Sequence, residues 1–252
     1  MTNEPRSDVP AMLASGVVLG VHRGWIRAID VGSLVALLGL LIALALRLWP
    51  SAKGLGGWLA AVVLASYVAA DFVSGMFHWM GDTWGTPETP VVGKVFVRPF
   101  REHHVDPLAI TRHDFIEVNG GNCLISLPIA TAAHFIPFGP GAPRLTLLAA
   151  FLCTFLVWIF ATNQFHKWAH AAEPPPLARL LQRWNVILRP AHHRIHHAAP
   201  YDRYYCITTG WLNEPLQRLR LFAALEQVVS RMAGWRPHYR TASLDFHGRE
   251  FG

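Results

Sequence analysis

The stretch LTLLAAFLCTFLVWIFATNQFHKWAH, residues 145–170, decides the fold. Its first part, Leu145–Phe165, carries no charged residue, and a helix needs about 20 mostly apolar residues to cross a bilayer. We therefore predict that this segment spans a membrane. His166 and His170 follow directly, and their i and i+4 spacing places both on one helix face where the span ends.

The composition of the whole chain agrees with a membrane protein. Of its 252 residues, 52% are hydrophobic and only 15% are charged, whereas a soluble domain has about 25% charged residues. This balance excludes a disordered chain, a coiled coil and an ordinary charged nucleic-acid-binding module. The net charge of +6 is expected of a membrane protein with basic cytoplasmic loops.

Three further segments have the composition of membrane helices. Val31–Leu46 is uncharged, and Gly54–Ala70 is also uncharged and continues as a helix past Asp71 to His78. Glu117–Ile136 predicts a shorter span that prolines make irregular. The sequence therefore predicts an all-α integral membrane protein with about four transmembrane helices.

The distribution of basic residues predicts the orientation. Of the 22 Lys and Arg residues, only Arg47, Lys53 and Arg144 fall on one side of the predicted bilayer. By the positive-inside rule, both termini and the loop between the second and third spans are cytoplasmic. The residue bias and short termini favour a bacterial inner membrane over an endoplasmic reticulum membrane.

We expect three parts along the chain: a cytoplasmic N-terminal segment (1–30), a membrane-embedded domain (31–219) and an amphipathic cytoplasmic tail (220–252). In the tail region, apolar residues recur every three or four positions from Leu212 to Met232. This spacing predicts an amphipathic helix. The helix either lies on the membrane surface or packs on the main domain, and the pattern leaves both interpretations open.

The histidines are the most informative residues, since there are 14 of them against 16 Asp and Glu. We interpret four isolated ones as structural or solvated: His22, His134, His238 and His247. The other ten fall on the predicted cytoplasmic side near helix ends: His78, His103, His104, His113, His166, His170, His192, His193, His196 and His197.

Several of these ten have helix-compatible spacings. His193, His196 and His197 are at i, i+3 and i+4, and so converge on one face of a helix. Asp71, Gly75, His78 and Asp82 step along one stripe at the end of the second span. Such groups on a single membrane face predict a cytoplasmic metal-binding cap, with enough ligands for two metals.

The residues leave a choice between this metal site and surface histidines that titrate in a basic interface and bind lipid phosphates. We prefer the metal site. Two redox metals beside a membrane suit oxygen activation on a lipid chain, and zinc has no redox chemistry. Imidazole ligands also suit iron, and a carboxylate-rich di-iron site would require more Glu-x-x-His patterns than the chain has. Iron is therefore the metal that we infer.

Three long motifs carry a resemblance to a known family. They are DFVSGMFHWMGDTWGTPETPVVGKVFVRPFREHHVDPLAITRHDFIEVNGGN (71–122), TNQFHKWAH (162–170) and PAHHRIHHAAPYDRYYCITTGWLNEPL (190–216). Over about Asp71–Leu216 the chain resembles the plasmanylethanolamine desaturase family, also called the Kua-type or CarF-type lipid desaturases.

The resemblance implies a lipid desaturase in the segment 31–219. Such an enzyme uses O2 and two Fe ions to form the 1′,2′ vinyl ether double bond of plasmalogens from plasmanyl ethanolamine lipids. Its partners would be the membrane ether phospholipid and an electron donor of the cytochrome b5 or ferredoxin type. The alternatives are an acyl-lipid desaturase or hydroxylase of related di-iron type, and a non-catalytic membrane metal-binding protein.

Within this expectation we hypothesise a division of roles among the polar residues. The iron ligands at the catalytic centre would be His78, His103, His104, His166, His170, His193, His196 and His197. Further candidate ligands are His113 and His192. The residues that orient imidazoles or hold water at the metal would be Asp71, Asp82, Asp106, Glu117 and Asn163.

Two positions depart from the wider acyl-lipid desaturase pattern. Phe100 stands where those enzymes have a histidine ligand, and Asp82 follows His78 where a second histidine would be expected. Asp82 is then either a ligand or an orienting residue, and His113 could supply the missing ligand. Three basic residues, Arg98, Arg101 and Arg194, either bind the lipid phosphate or are ordinary positive-inside charge, which we slightly prefer.

Overall fold

The computed structural model describes residues 24–238, and every regular element in that range is helical. The predicted all-α architecture is confirmed. In chain order the helices are α1 (Gly24–Leu48), α2 (Gly56–Thr83), α3 (Arg98–Val105), α4 (Ala109–Arg112), α5 (Phe115–Ala133), α6 (Pro143–His170), α7 (Pro176–Arg183), α8 (Pro190–His196), α9 (Asn213–Arg218) and α10 (Leu221–Ala233). His22, His247 and most of the predicted N-terminal segment lie outside the described residues.

The four long helices form the body of the molecule. Helix α5 packs against α1 and α6, and α6 packs against α2. Leu37 and Leu44 of α1 and Leu156 of α6 are fully buried between them, whereas Val35 and Ile42 of α1 are exposed. Apolar side chains thus face both the bundle interior and its outside, as helices surrounded by lipid require.

Three helical segments are long and apolar enough to cross a membrane: Gly24–Ala52, Gly56–Thr83 and Pro143–His170. They contain the first and fourth spans predicted from the sequence and, apart from Gly54 and Leu55, the second. The predicted third span coincides with α5, which has 19 residues and contains Pro128. Whether α5 also crosses the membrane, and hence the count of four spans, stays a prediction.

The segment that follows α2 contains two histidines of the predicted metal-binding cap. A π-helical turn, Gly93–Val97, leads directly into α3, which contains His103 and His104. The chain then reaches α5, whose first turn is fixed by a capping box. The Asp114 carboxylate accepts the backbone N–H of Glu117 at 3.0 Å, and the Glu117 carboxylate accepts the backbone N–H of Asp114 at 3.2 Å.

The tail helix α10 packs on the end of α2. Its Phe222 is buried beside Trp79, with ring centroids 5.8 Å apart, and the indole N–H of Trp79 donates to Glu226 at 3.2 Å. On the outer face of α10, Val228 and Met232 are exposed. One face of the helix therefore packs on the main domain, while the other, which also exposes Gln227 and Arg231, is uncovered in the described part of the chain.

Candidate metal centre

Histidines from four helices converge in two neighbouring groups at one end of the bundle. The five-histidine group consists of His103, His166, His170, His193 and His197. The Asp82 group consists of His78, Asp82, His104 and His196. Within each group, one ligand atom from every member lies within 4.8 Å of the others. All eight histidines that sequence reasoning named as main ligands are thus brought together.

The five-histidine group closes around the Nε2 atom of His193. This atom lies 2.8 Å from Nε2 of His166, 2.9 Å from Nε2 of His170 and 3.0 Å from Nε2 of His197. The His103 ring is 4.6 to 4.8 Å, centroid to centroid, from the rings of His166, His170 and His197. Five imidazoles therefore direct their edges into one small volume.

The Asp82 group is built around a carboxylate that is almost fully buried. Nε2 of His104 lies 3.0 Å from Asp82 Oδ1, and Nε2 of His78 and of His196 lie 3.4 and 3.3 Å from Oδ2. Asp82 is one turn beyond His78 on α2, so the i, i+4 spacing aligns both side chains. The sequence had left open whether Asp82 is a ligand or an orienting residue, and its position among three imidazoles favours a ligand.

Backbone carbonyls fix the ring orientation in the Asp82 group. Nδ1 of His78 lies 3.2 Å from the carbonyl oxygen of Tyr205, and Nδ1 of His196 lies 2.8 Å from that of Arg203. A carbonyl only accepts, so each Nδ1 carries the hydrogen and, in a neutral ring, each Nε2 presents a lone pair. Those lone pairs point at the acceptor oxygens of Asp82. A metal cation between these facing acceptors would satisfy them both.

The geometry of both groups fits bound metal ions. Nitrogen ligands about 2.1 Å from a metal lie about 3.0 to 3.4 Å from one another, and the 2.8 to 3.0 Å separations around His193 are at or just below the short end of that range. Moreover, buried Nε2 atoms of His78, His103 and His196 and both carboxylate oxygens of Asp82 have no hydrogen-bond partner in the structure. These unpaired atoms are the ones that a metal would take as ligands.

Burial also prepares the rings outside the spanning helices for metal binding. Burial, reinforced by neighbouring histidines, lowers the pKa of His103, His193 and His197. The lowered pKa keeps these three imidazoles neutral near pH 7, and only the neutral ring offers a nitrogen lone pair to a metal.

Asp71 is placed differently from the ligand groups. Its Oδ1 accepts the backbone N–H of Thr208, Thr209 and Gly210 at 3.2, 2.7 and 2.9 Å, and its Oδ2 accepts that of Leu212 at 3.1 Å. The side chain is fully buried. Asp71 therefore holds the segment that follows the histidines of α8 against α2.

The structure places five other predicted site residues outside both groups, Glu117 among them. His113 Nδ1 lies 3.2 Å from Glu117, the residue of the capping box, and Asn163 donates to the carbonyl oxygen of Val118 at 3.0 Å. His192 Nε2 lies 3.1 Å from Nδ2 of Asn213, and its ring stacks on a tyrosine. Asp106, also named as an orienting residue, pairs with an arginine at the surface. Their proposed contributions to metal binding remain predictions.

Sequence reasoning missed residues that act through the backbone around the site. The side-chain amide of Asn213 accepts a hydrogen bond from the backbone N–H of Cys206 at 2.8 Å and donates one to the Cys206 carbonyl oxygen at 2.9 Å. Ser74 of α2 accepts the N–H of Ile207 at 3.1 Å. These contacts fix the segment whose Tyr205 carbonyl orients His78. A side-chain motif cannot reveal a role played by a main-chain carbonyl.

Phe100 lies beside the Asp82 group and not among the ligand atoms. Its ring centroid is 5.3 Å from that of His78, and it rests directly on Gly81, where any side chain would overlap the Phe100 ring. The glycine thus allows an aromatic ring to cover this side of the metal site.

Two of the three arginines considered for lipid phosphate binding are engaged with the protein. The Arg98 guanidinium pairs with Glu102 at 2.6 Å. Arg101 donates to the carbonyl oxygens of Asp82 and Gly85. Arg194 is exposed on the outer side of α8.

Sequence comparison with known proteins identifies the family to which the chain is similar. Residues 67–240 match the sequence model of the family described as the lipid desaturase domain. The plasmanylethanolamine desaturase of Myxococcus xanthus is 52% identical over 214 residues, which cover 84% of this chain and 75% of that protein. Plasmanylethanolamine desaturase 1 of Mus musculus is 49% identical over 181 residues, 69% of this chain and 66% of that protein.

A more distant relative carries a different name. Fatty acid desaturase 4 of Arabidopsis thaliana, a chloroplastic protein, is 37% identical over 175 residues, which cover 69% of this chain and 52% of that protein. No solved structure gives a significant match.

Proposed function

Because the chain belongs to the lipid desaturase family, we propose that it is a plasmanylethanolamine desaturase, an integral membrane oxidoreductase that forms the vinyl ether double bond of plasmalogens. The observation that carries the proposal is the pair of buried histidine groups at the ends of the spanning helices. The sequence identities of 52% and 49% to two proteins named for this activity support it.

The metals are proposed to be two Fe ions, one in each group. When bound, they would supply the redox chemistry by which O2, two electrons and two protons are converted to two waters while two hydrogens leave adjacent carbons of the lipid. The donor of the electrons is proposed to be a protein of the cytochrome b5 or ferredoxin type. Imidazole-rich sites suit iron, and a redox-inactive metal such as zinc could not serve this reaction.

The depth of the site agrees with a reaction near the lipid headgroup. His78 stands about 33 Å along α2 from Gly56, and His166 about 34 Å along α6 from Pro143, at 1.5 Å per residue. The hydrocarbon core of a bilayer is about 30 Å thick. These lengths support the proposal that the metal groups lie at the level where the ether-linked carbons of a phospholipid meet its glycerol.

The protein's own groups hold the site in place and exclude water. The carbonyls of Tyr205 and Arg203 keep the Nε2 atoms of His78 and His196 directed at Asp82. Burial of His193 and His196 keeps bulk water away from the centre, which prevents side reactions of an oxidising site.

We also propose that both termini and both histidine groups face the cytoplasm. The basic residues support this orientation, since Arg47, Lys53 and Arg144 alone lie at the opposite end of the predicted spans. A cytoplasmic centre would be accessible to a soluble or membrane-anchored electron donor.

Lipid mass spectrometry tests the function directly. Expression in a host that contains plasmanyl ethanolamine lipids but lacks plasmalogens should produce acid-labile vinyl ethers with the wild-type chain and none with His193→Ala. The variant His113→Ala tests a remaining candidate ligand outside both groups: loss of activity would support a role in metal binding, and retained activity would exclude one.

The second candidate is an acyl-lipid desaturase, favoured by the similarity to a protein named fatty acid desaturase 4. The same lipid analysis separates the two. New double bonds in acyl chains, with no vinyl ether, would replace the first proposal with the second.

A further inference from the structure

A basic pocket lies on the outer side of α7 and α8, apart from the metal centre. It has a volume of about 370 Å³ and is lined by four arginines together with Gln182, Pro190 and Ala191. The arginines are Arg179, Arg183, Arg189 and Arg194. All four are exposed, and within residues 24–238 none of them pairs with a carboxylate.

The lining of the pocket indicates an anionic ligand. No acidic side chain lines it, so the mutual repulsion of four guanidinium groups is not offset by the protein. Guanidinium groups present paired N–H donors that match the oxygens of a phosphate.

A second observation comes from Gln182. Its side chain is 5% exposed and its Nε2 has no hydrogen-bond partner in the structure. A buried donor without an acceptor is unfavourable, and this one lies in the pocket wall. Because solvent does not reach this nitrogen, an anion in the pocket would be held by the arginines and not by Gln182.

The surroundings of the pocket indicate a membrane. Leu177, Leu180 and Trp184 of the α7 region are exposed next to the arginines. In a protein with spanning helices, exposed apolar and tryptophan side chains beside basic residues are typical of the bilayer interface.

Helix α8 separates the pocket from the metal centre. Pro190, Ala191 and Arg194 line the pocket, whereas His193 and His196 belong to the metal groups. At 100° per residue these two sets lie on different faces of the same short helix. A ligand in the pocket would hold the outer face of the helix whose inner face carries the histidines.

We propose that this pocket binds the headgroup phosphate of an anionic membrane phospholipid. An ethanolamine headgroup fits less well, because the pocket has no carboxylate to pair with its ammonium group. The site is therefore distinct from that of the proposed substrate, and it does not depend on the proposed function.

Lipid binding to the purified, metal-loaded chain in a neutral detergent tests the proposal. Phosphatidylglycerol, phosphatidylcholine and inorganic phosphate are titrated separately, with bound lipid measured by native mass spectrometry and the melting temperature recorded. We expect phosphatidylglycerol to bind and to raise the melting temperature, phosphatidylcholine to bind far more weakly, and phosphate alone to have little effect.

Matched variants separate the pocket from general charge. R183Q/R194Q should weaken phosphatidylglycerol binding about tenfold or more, because each lost guanidinium removes charge-assisted hydrogen bonds. K53Q/R144Q removes the same charge at exposed positions away from the pocket and should bind like wild type.

Several results would overturn the proposal. Equal weakening by both double variants would show a general charge effect, and saturable binding of phosphate without lipid would show a free-anion site. A third such result would be that R183Q/R194Q binds phosphatidylglycerol like wild type but no longer binds an acidic electron-transfer protein such as cytochrome b5. That result would show that the arginines bind a protein and not a lipid. All variants are compared at wild-type metal content, which verifies the fold independently.

Discussion

Replacement of Asp71 by asparagine should weaken the attachment to α2 of the segment 208–212, which follows the metal-site histidines of α8. The buried carboxylate accepts four backbone N–H groups from Thr208, Thr209, Gly210 and Leu212. Asparagine is nearly the same size, but it offers one acceptor oxygen in place of two. Whichever way the amide is turned, its NH2 group must face at least one backbone N–H.

The magnitude follows from the hydrogen bonds. Loss of one bond to a charged acceptor, with its donor left buried, costs about 2 kcal/mol. The bonds that remain change from charge-assisted to neutral, which weakens them by about 0.5 to 1 kcal/mol each. The total is about 3 to 5 kcal/mol. At about 2 to 4 °C per kcal/mol for a chain of this size, the melting temperature should fall by about 10 °C.

Thermal unfolding in one detergent at one scan rate measures this change. Glu173→Gln is the matched control, because it makes the same carboxylate-to-amide change at an exposed position, where substitutions alter stability by about 0.5 kcal/mol or less. A melting temperature for Asp71→Asn within about 2 °C of wild type would refute the reasoning that the carboxylate clamps this segment.

Further predictions concern the metals and the packing around them. Asp82→Ala should lower bound iron from about two ions per chain to about one, measured by plasma mass spectrometry; two retained ions would show that Asp82 is not a ligand. Metal removal by a chelator should lower the melting temperature by several degrees, since metal binding stabilises only the folded state; an unchanged value would contradict a bound metal. The metal-free protein should lose stability as the pH falls below about 6.5. The fold lowers the pKa of His103, His193 and His197, so these histidines take up protons in the unfolded chain before they do so in the folded one. Melting temperatures measured between about pH 7.5 and 5.5 test this, and a melting temperature independent of pH would contradict it. Gly81→Ala should cost about 1 to 3 kcal/mol by overlap with the Phe100 ring, and Phe100→Leu in the same chain should recover most of it.

The sequence predicts the elements whose signal is periodic or compositional. An uncharged run followed by two histidines at i and i+4 defines α6 and its contribution to the site. His193, His196 and His197 converge as their spacing requires. Helical geometry alone links spacing to a shared face, so these predictions needed no knowledge of tertiary structure.

The sequence could not distinguish residues that look alike locally but differ in tertiary contacts. His192 adjoins His193, yet it points to Asn213 and away from the metal groups. Asp71 lies on the same stripe of α2 as Asp82 but meets backbone N–H groups from a distant segment. Burial, loop course and the carbonyl partner of each ring are set by packing between elements.

The way the helices divide their ligands between the groups explains why histidine pairs recur in this chain. Helix α2 contributes only to the Asp82 group and α6 only to the five-histidine group. Two of the three adjacent pairs on the short helices serve both groups, since His103 joins one group and His104 the other, and His197 and His196 divide in the same way, whereas of His192 and His193 only His193 joins a group. Adjacent residues on a helix point about 100° apart, so a single pair can reach two metals that lie side by side, with the His104 and His197 rings 4.9 Å apart. The pairs His103–His104 and His196–His197 therefore connect the two histidine groups, and the packing of α2 against α6 sets the distance between these groups.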